Sequence, residues 1–205
     1  GIHPGTPATN ELYRRMGNKY HIMYVMHDTI PVPVKALDFL VRNVPLTCKL
    51  INSYQKTDYS AEFLSGRDSS VFSGSNGKNL TGSARQVWVG PEGMERVYYG
   101  EGRTSILTWK MRGDVIIELR YWPRNRHSCN YSARFTMFPA NGFIHSVMSM
   151  GLFKNTAIDK IDEVLSDISR AANAYAAGKP PKKPQTYSPA EMDALQRFNA
   201  LFRGQ

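Results

Sequence analysis

The sequence predicts an α+β protein: an antiparallel sheet of about seven strands, two short helices after the first strand, and one long C-terminal helix. Three observations lead there. Between Tyr59 and Pro139, apolar and polar residues alternate in short runs parted by turn-forming residues, as in an antiparallel meander. Ahead of that region, Val34 to Tyr54 holds two short stretches of helical spacing, and after it, from about Asn155 to Ala177, a long one follows. At 205 residues the chain has room for one domain with a substantial core plus extensions.

The first eight residues, GIHPGTPA, carry too much Pro and Gly to order themselves. Thr9 or Asn10 then caps a short helix through ELYRRM, which Gly17 ends. A strand is expected from Tyr20 to about His27, rich in aromatic and branched residues and stopped by Pro31 and Pro33. VKALDFLVRN places Val34, Leu37, Leu40 and Val41 on one helical face, and Pro45 opens a second helix through LTCKLINSY.

The strands expected next are YSAEFL, SSVFSG, LTGSARQVWVG, MERVYYGEG, TSILTWKM, DVIIELRYW and HSCNYSARFTMF. SGRD, GSNGKN, GPEG, EGR, RGD and PRNR read as the turns between them. Alternation also assigns faces. Ile117, Leu119 and Tyr121 share a side opposite Glu118 and Arg120, and Cys129, Tyr131, Ala133 and Phe135 one opposite Asn130, Ser132 and Arg134. One face is therefore expected to be buried and the other wet.

The long helix carries a stripe of Ile158, Ile161, Val164, Leu165, Ile168 and Ala172, with Asp159, Asp162, Glu163 and Asp167 largely opposite. Only the apolar face of the sheet is broad enough to cover that stripe. After Gly178, KPPKKPQT forms a semi-rigid linker to a last helix, SPAEMDALQRFNALFR, where Ser188 and Glu191 make a capping box. The chain thus divides into an extension with a short helix (1–19), a central domain (20–178), and a linker with a short amphipathic helix (179–205).

Several chemistries find no pattern in the sequence. The greasy run from Gly142 to Phe153 falls short of the roughly 20 apolar residues a membrane span needs, and His145, Ser146 and Ser149 interrupt it. Cys48 and Cys129 make neither a disulfide framework nor a zinc spacing. No two histidines fall at metal-ligand spacing, there is no GxSxG, and the glycines of GSNGKNLTG do not match a phosphate loop. No metal, cofactor or catalytic residue is assigned. The chain begins at Gly1, which leaves the compartment open; a periplasmic or secreted protein with its leader removed is one reading.

The order strand, two short helices, meander, long helix resembles the helix-grip fold of the START-like (SRPBCC) superfamily. That superfamily includes lipid-transfer domains, the birch-pollen allergen and polyketide cyclases. The resemblance covers Tyr20 to about Ala177 and includes the texture of GSARQVWVGPEGMERVYYGEG followed by SILTWKM. It implies a curved sheet wrapped around the long helix, with a cavity between them for an apolar ligand. Trp88 and Trp109 are then expected as apolar walls, and Tyr99, Tyr121, Tyr131 and His145 as polar groups. Phe143 and Met148 would stand at the mouth, just before the long helix, or else simply close the end of the core. The implied function is binding, or binding and transport, of a hydrophobic or amphiphilic small molecule such as a lipid. The runner-up is a cofactor-independent enzyme of the polyketide cyclase/dehydratase type.

Charge raises a third reading. The chain carries 26 Lys+Arg against 17 Asp+Glu, a formal +9. From Leu119 to Ile158 it has no acidic residue at all. Arg120, Arg124 and Arg126, with Lys154, are expected near the mouth, facing an anionic headgroup or membrane, or else forming a solvated edge. Nucleic acid ranks lower, because RYWPRNRH clusters its arginines at one turn instead of along a groove.

Overall fold

In a computed structural model of the protein, residues 7–17, 21–65, 68–106, 109–140 and 151–203 are described. The elements run α1 (Pro7–Met16), β1 (Ile22–Ile30), α2 (Val34–Arg42), α3 (Val44–Tyr54), β2 (Ser60–Ser65), β3 (Asp68–Ser75) and β4 (Leu80–Val89). They continue with β5 (Glu95–Ile106), β6 (Trp109–Asn125), β7 (Ser128–Pro139), α4 (Gly151–Ala176) and α5 (Pro189–Arg203). The strands form one seven-stranded antiparallel sheet in the order β1-β7-β6-β5-β4-β3-β2. The meander is continuous from β2 to β7, and β1 closes it by pairing with the last strand.

Two of the expected turns lie inside strands. EGR and RGD were read as breaks, yet β5 runs unbroken to Ile106 and β6 begins at Trp109, so TSILTWKM is not a strand of its own. Gly74, Gly82, Gly102 and Gly113 pair with one another in turn across β3, β4, β5 and β6. Glycine marks places where strand backbones crowd together, as well as turns. Gly100, one step away on the same face, shows why. A Cβ there would fall against Ser83 O and lie 2.9 Å from Ala84 Cα. Glu101 reaches across the strands to Arg112 at 2.8 Å.

The inner face of the sheet carries Ile117, Leu119 and Tyr121 on β6, opposite Phe135, Ala133 and Tyr131 on β7, as alternation predicts. α4 lies over this face. Its first half is tied to the β3–β4 turn by Lys160 Nζ to Asn79 Oδ1 (3.4 Å), and its last turns to the residue after β1 by Asn173 Nδ2 to Pro31 O (2.8 Å). The interior thus has an upper end, closed by α2 and α3, and a lower end where α4 begins. At the upper end Leu37, Leu40, Leu50, Tyr121, Cys129, Ala171 and Ala172 are fully buried in one cluster. The helix departs from its expected pattern at one residue. Asp167, assigned to the polar side, is buried and accepts a hydrogen bond from Tyr59 Oη at 3.3 Å. Burial raises its pKa, and the Tyr59 hydrogen bond opposes that shift.

The outer face is not uniformly wet. α1 lies on it, with Met16 buried against Val97, Ile116 and Phe138 and with Leu12 and Tyr13 packed beside them. Thr9 Oγ1 donates to Glu118 Oε1 (3.3 Å), Glu118 pairs with Arg134 (2.7 Å), and Tyr13 shares a hydrogen bond with Thr136. Gly17 ends α1 at φ +59°, with its N–H on Tyr13 O.

The C-terminal segment is strapped to α3. Lys182 and Lys183 donate backbone N–H groups to Ser53 O, and Tyr54 Oη donates to Lys179 O. α5 then starts with the expected capping box: Glu191 N–H reaches Ser188 Oγ (3.2 Å) and Ser188 N–H reaches Glu191 Oε2 (2.7 Å). Its Phe198 is fully buried among Phe39, Tyr175 and Phe202. Ser188→Ala is expected to cost about 1 kcal/mol, the usual worth of an N-cap, and to lower Tm by about 2–4 °C. A thermal scan of the variant beside wild type checks this; an unchanged Tm would mean that α5 is held by its buried face alone.

Candidate functional site

The site is the lower part of the interior, between the sheet and the first half of α4. Ile117, Phe135 and Met137 on the sheet and Ile158, Ile161 and Leu165 on α4 are large apolar residues on facing layers, yet all stay only half-buried. Apolar side chains between two layers of a filled core lose their water contact almost completely. Here the layers leave accessible apolar surface at the lower end and close over it at the upper end. Still lower on the inner face, Ala61, Gly74, Gly82, Gly102, Gly113 and Pro139 pair in register across six strands, so no long side chain projects from that row.

A buried polar cluster lies at the upper limit of this surface. Arg96 on β5 points inward and is only 5% exposed. Its Nε donates to Tyr121 Oη (3.1 Å), Nη1 to Gln86 Oε1 (2.7 Å) and Nη2 to Asp38 Oδ1 (2.9 Å). Tyr121 Oη also donates to Asp38 Oδ1, and Asp38 Oδ2 takes Arg42 Nε at 3.0 Å. Burial pulls the Arg96 guanidinium down, but hydrogen bonds to Tyr121 and Asp38 outweigh it and raise its pKa. Burial, helped by the Asp38 hydrogen bond, raises the Tyr121 phenol, which therefore stays protonated. The cluster ties α2 to β4, β5 and β6 and separates the open lower end from the filled upper one.

The expected site residues are distributed unevenly over this geometry. Tyr121 and Tyr131 do face the interior, but in its filled upper part, where Tyr121 belongs to the ion-paired cluster. Trp88 and Tyr99 were expected in the cavity and are not: both pack on the outer face beside Val97 and Ile116, under the edge of α1. A bulge between Gln86 and Trp88 shifts the register of β4 there, and Tyr99 pairs with outward-facing Ile116. Trp109 begins β6, and its side chain lies outside the described residues, as do Phe143, His145 and Met148 altogether. Arg124 and Arg126 are exposed at the β6–β7 hairpin, Arg124 donating to Thr29 Oγ1 at 3.3 Å. That hairpin stands at the upper end, beside the last residues of β1, opposite to the expected mouth. Arg120 lies on the outer face, stacked 5.8 Å from the Trp122 ring.

Sequence reasoning missed Asp38, Gln86, Arg96 and Tyr98. Tyr98, not Tyr99, is the tyrosine of that pair which faces inward, opposite Ile117 and edge-on to Phe72 at 6.1 Å. Among the described residues, no group of three or more His, Cys, Asp and Glu side chains is placed to hold a metal ion. Nor is any described helix long and apolar enough to cross a membrane.

No protein-family model and no curated protein sequence matches the chain. Solved structures do. The crystal structure of Ara h 8.0201 superposes with a TM-score of 0.52 at 16% identity, covering 73% of this chain and 96% of the other. A conserved protein from Geobacillus kaustophilus gives 0.52 at 8% identity, over 75% of this chain and 97% of its own. At such identities the likeness is one of fold alone: a helix-grip architecture, in which a seven-stranded curved antiparallel sheet wraps around a long C-terminal helix.

Proposed function

We propose that the protein binds a hydrophobic or amphiphilic small molecule between the lower inner face of the sheet and the first half of α4, without transforming it. The observation that carries this reading is the half-burial of Ile117, Phe135, Ile161 and Leu165 between two layers that close completely only further along α4, at Ala171 and Ala172. Accessible apolar surface of that kind is where a ligand gains most from leaving water. Of the polar groups expected in the cavity, Tyr121 has its hydroxyl already committed to Asp38 and Arg96, and Tyr99 lies on the outer face. This supports a binding role over turnover.

The test is a substitution that occupies the space. Ile117→Trp is expected to leave the protein folded while weakening its binding of the apolar fluorophore N-phenyl-1-naphthylamine about tenfold or more, a loss of about 1.4 kcal/mol or greater. Fluorescence titration and a urea melt of the same variant decide the matter. If the interior were filled, the extra ring would instead destabilise the fold by about 1–3 kcal/mol, as overpacking does. Native mass spectrometry of the protein as purified, followed by extraction, identifies any molecule it already carries.

A further inference from the structure

We propose that Tyr98 is the polar anchor of this site and that its ligand is a neutral amphiphile, one presenting a hydroxyl or carbonyl oxygen and not an ionised carboxylate. The inference rests on the binding reading above and adds the class of molecule.

Tyr98 stands on the inner face of β5 at the boundary between the two kinds of lining. Arg96, two residues before it, belongs to the ion-paired cluster; Gly100, two residues after it, opens the stretch where the sheet bears little side chain. The Tyr98 side chain is nine-tenths buried, at 9% exposure, and its ring is held by Phe72. Its hydroxyl has no hydrogen-bond partner among the described residues, and it is not one of the residues with a further contact. Among the described residues, Asn199 Oδ1 and Glu118 Oε2 are side-chain oxygens sealed from solvent without a hydrogen bond, and Glu118 Oε2 is held by its ion pair to Arg134. The Tyr98 hydroxyl is not among these, so it meets accessible space. Buried hydroxyls in folded proteins find partners, as Tyr121 does in Asp38 and Tyr54 does in Lys179 O. A phenol left without one, at the head of an accessible apolar surface, is placed to meet a ligand oxygen.

The charge of that oxygen follows from the neighbours. Arg96 is the nearest cation by position, but Asp38 neutralises it and Gln86 and Tyr121 take further N–H groups. Asp38 spends its second oxygen on Arg42, whose side chain is 55% exposed and screened by water. A carboxylate carried to Tyr98 would lose its hydration, and Arg96, whose charge Asp38 already balances, would return little of that loss. A hydroxyl or carbonyl would lose far less and would receive the phenol's hydrogen bond. Burial, the main influence on Tyr98, pushes its pKa up to about 12, so the group is a donor throughout the physiological range.

The experiment uses displacement of N-phenyl-1-naphthylamine from the full chain by 1-decanol and by decanoate at pH 7.5. In wild type, decanol is expected to displace the probe at about one-tenth of the decanoate concentration or less. In Tyr98→Phe, probe affinity and thermal stability are expected to stay as in wild type while the decanol affinity falls about tenfold. Decanoate displacing the probe as well as decanol does, or a decanol affinity unchanged in Tyr98→Phe with the probe still bound, overturns the anchor and leaves the cavity standing. A wild type that binds neither probe nor decanol takes away the cavity itself, and the anchor with it.

Discussion

Asp38→Ala is expected to destabilise the protein by about 3–5 kcal/mol, the loss seen when one partner of a buried ion pair is removed. Arg96 is almost fully buried and cannot turn to water when its carboxylate disappears. Tyr121, fully buried, loses the acceptor of its hydroxyl in the same step. The cost therefore comes from an uncompensated guanidinium and an unpaired phenol, more than from any strength of the original pair. Urea denaturation measures it as a fall in midpoint at constant slope. The double variant Asp38→Leu/Arg96→Met is expected to recover most of the loss, because neither half of the buried pair is then left without its partner. Asp28→Ala, on the exposed part of β1, serves as a control expected within about 0.5 kcal/mol of wild type. A single-variant cost below about 1 kcal/mol would mean that water reaches Arg96 freely and that the cluster does not close the upper end.

Gly100→Ala is the second large effect, expected at about 3 kcal/mol, the upper end of what overpacking costs, because the added methyl meets backbone that cannot swing aside. The obstructing atoms are Ser83 O and Ala84 Cα of the neighbouring strand. For a chain of this size such a loss lowers Tm by about 6–12 °C. Gly102→Ala supplies the comparison two residues further on, where the nearest atom to a new Cβ is Thr81 O at 3.8 Å, an ordinary contact. Its cost is expected below about 1 kcal/mol, and the difference between the two variants in a single thermal scan is the quantity of interest. Equal effects would show that strand propensity, and not the close approach of β4, sets the requirement for glycine.

These two positions also mark where the sequence can and cannot be read. Faces along β6 and β7 are legible because their apolar and polar residues alternate without a break. The capping box of α5 and the glycine stop of α1 are legible because each is a local device confined to a few residues. Glycine inside a strand is harder. EGR and RGD have the composition of turns, and nothing local reveals that Gly102 and Gly113 sit opposite each other in continuous strands. The candidate site was misjudged for related reasons. Adjacent Tyr98 and Tyr99 leave open which one faces inward, and the bulge in β4 defeats simple alternation around Trp88. Arg96 belongs inward with Tyr98, but an inward arginine is discounted by any hydrophobic pattern, and its partner Asp38 lies 58 residues away on a helix. Long-range pairing of that kind leaves no periodic trace.

The placement of α1 has a mechanical consequence. A sheet in a two-layer protein is a plate supported on one side; here the middle of the plate is gripped on both, by Met16 and Tyr13 without and by α2, α3 and the end of α4 within. A plate clamped along its centre can flex only at its free margin. That margin is the lower one, made of the β3–β4 turn, the far ends of β5 and β6, and the first turns of α4. On the binding reading proposed above, the opening that a ligand needs is expected to fall on those segments, while the gripped region keeps Arg96, Asp38 and Tyr121 in a fixed position.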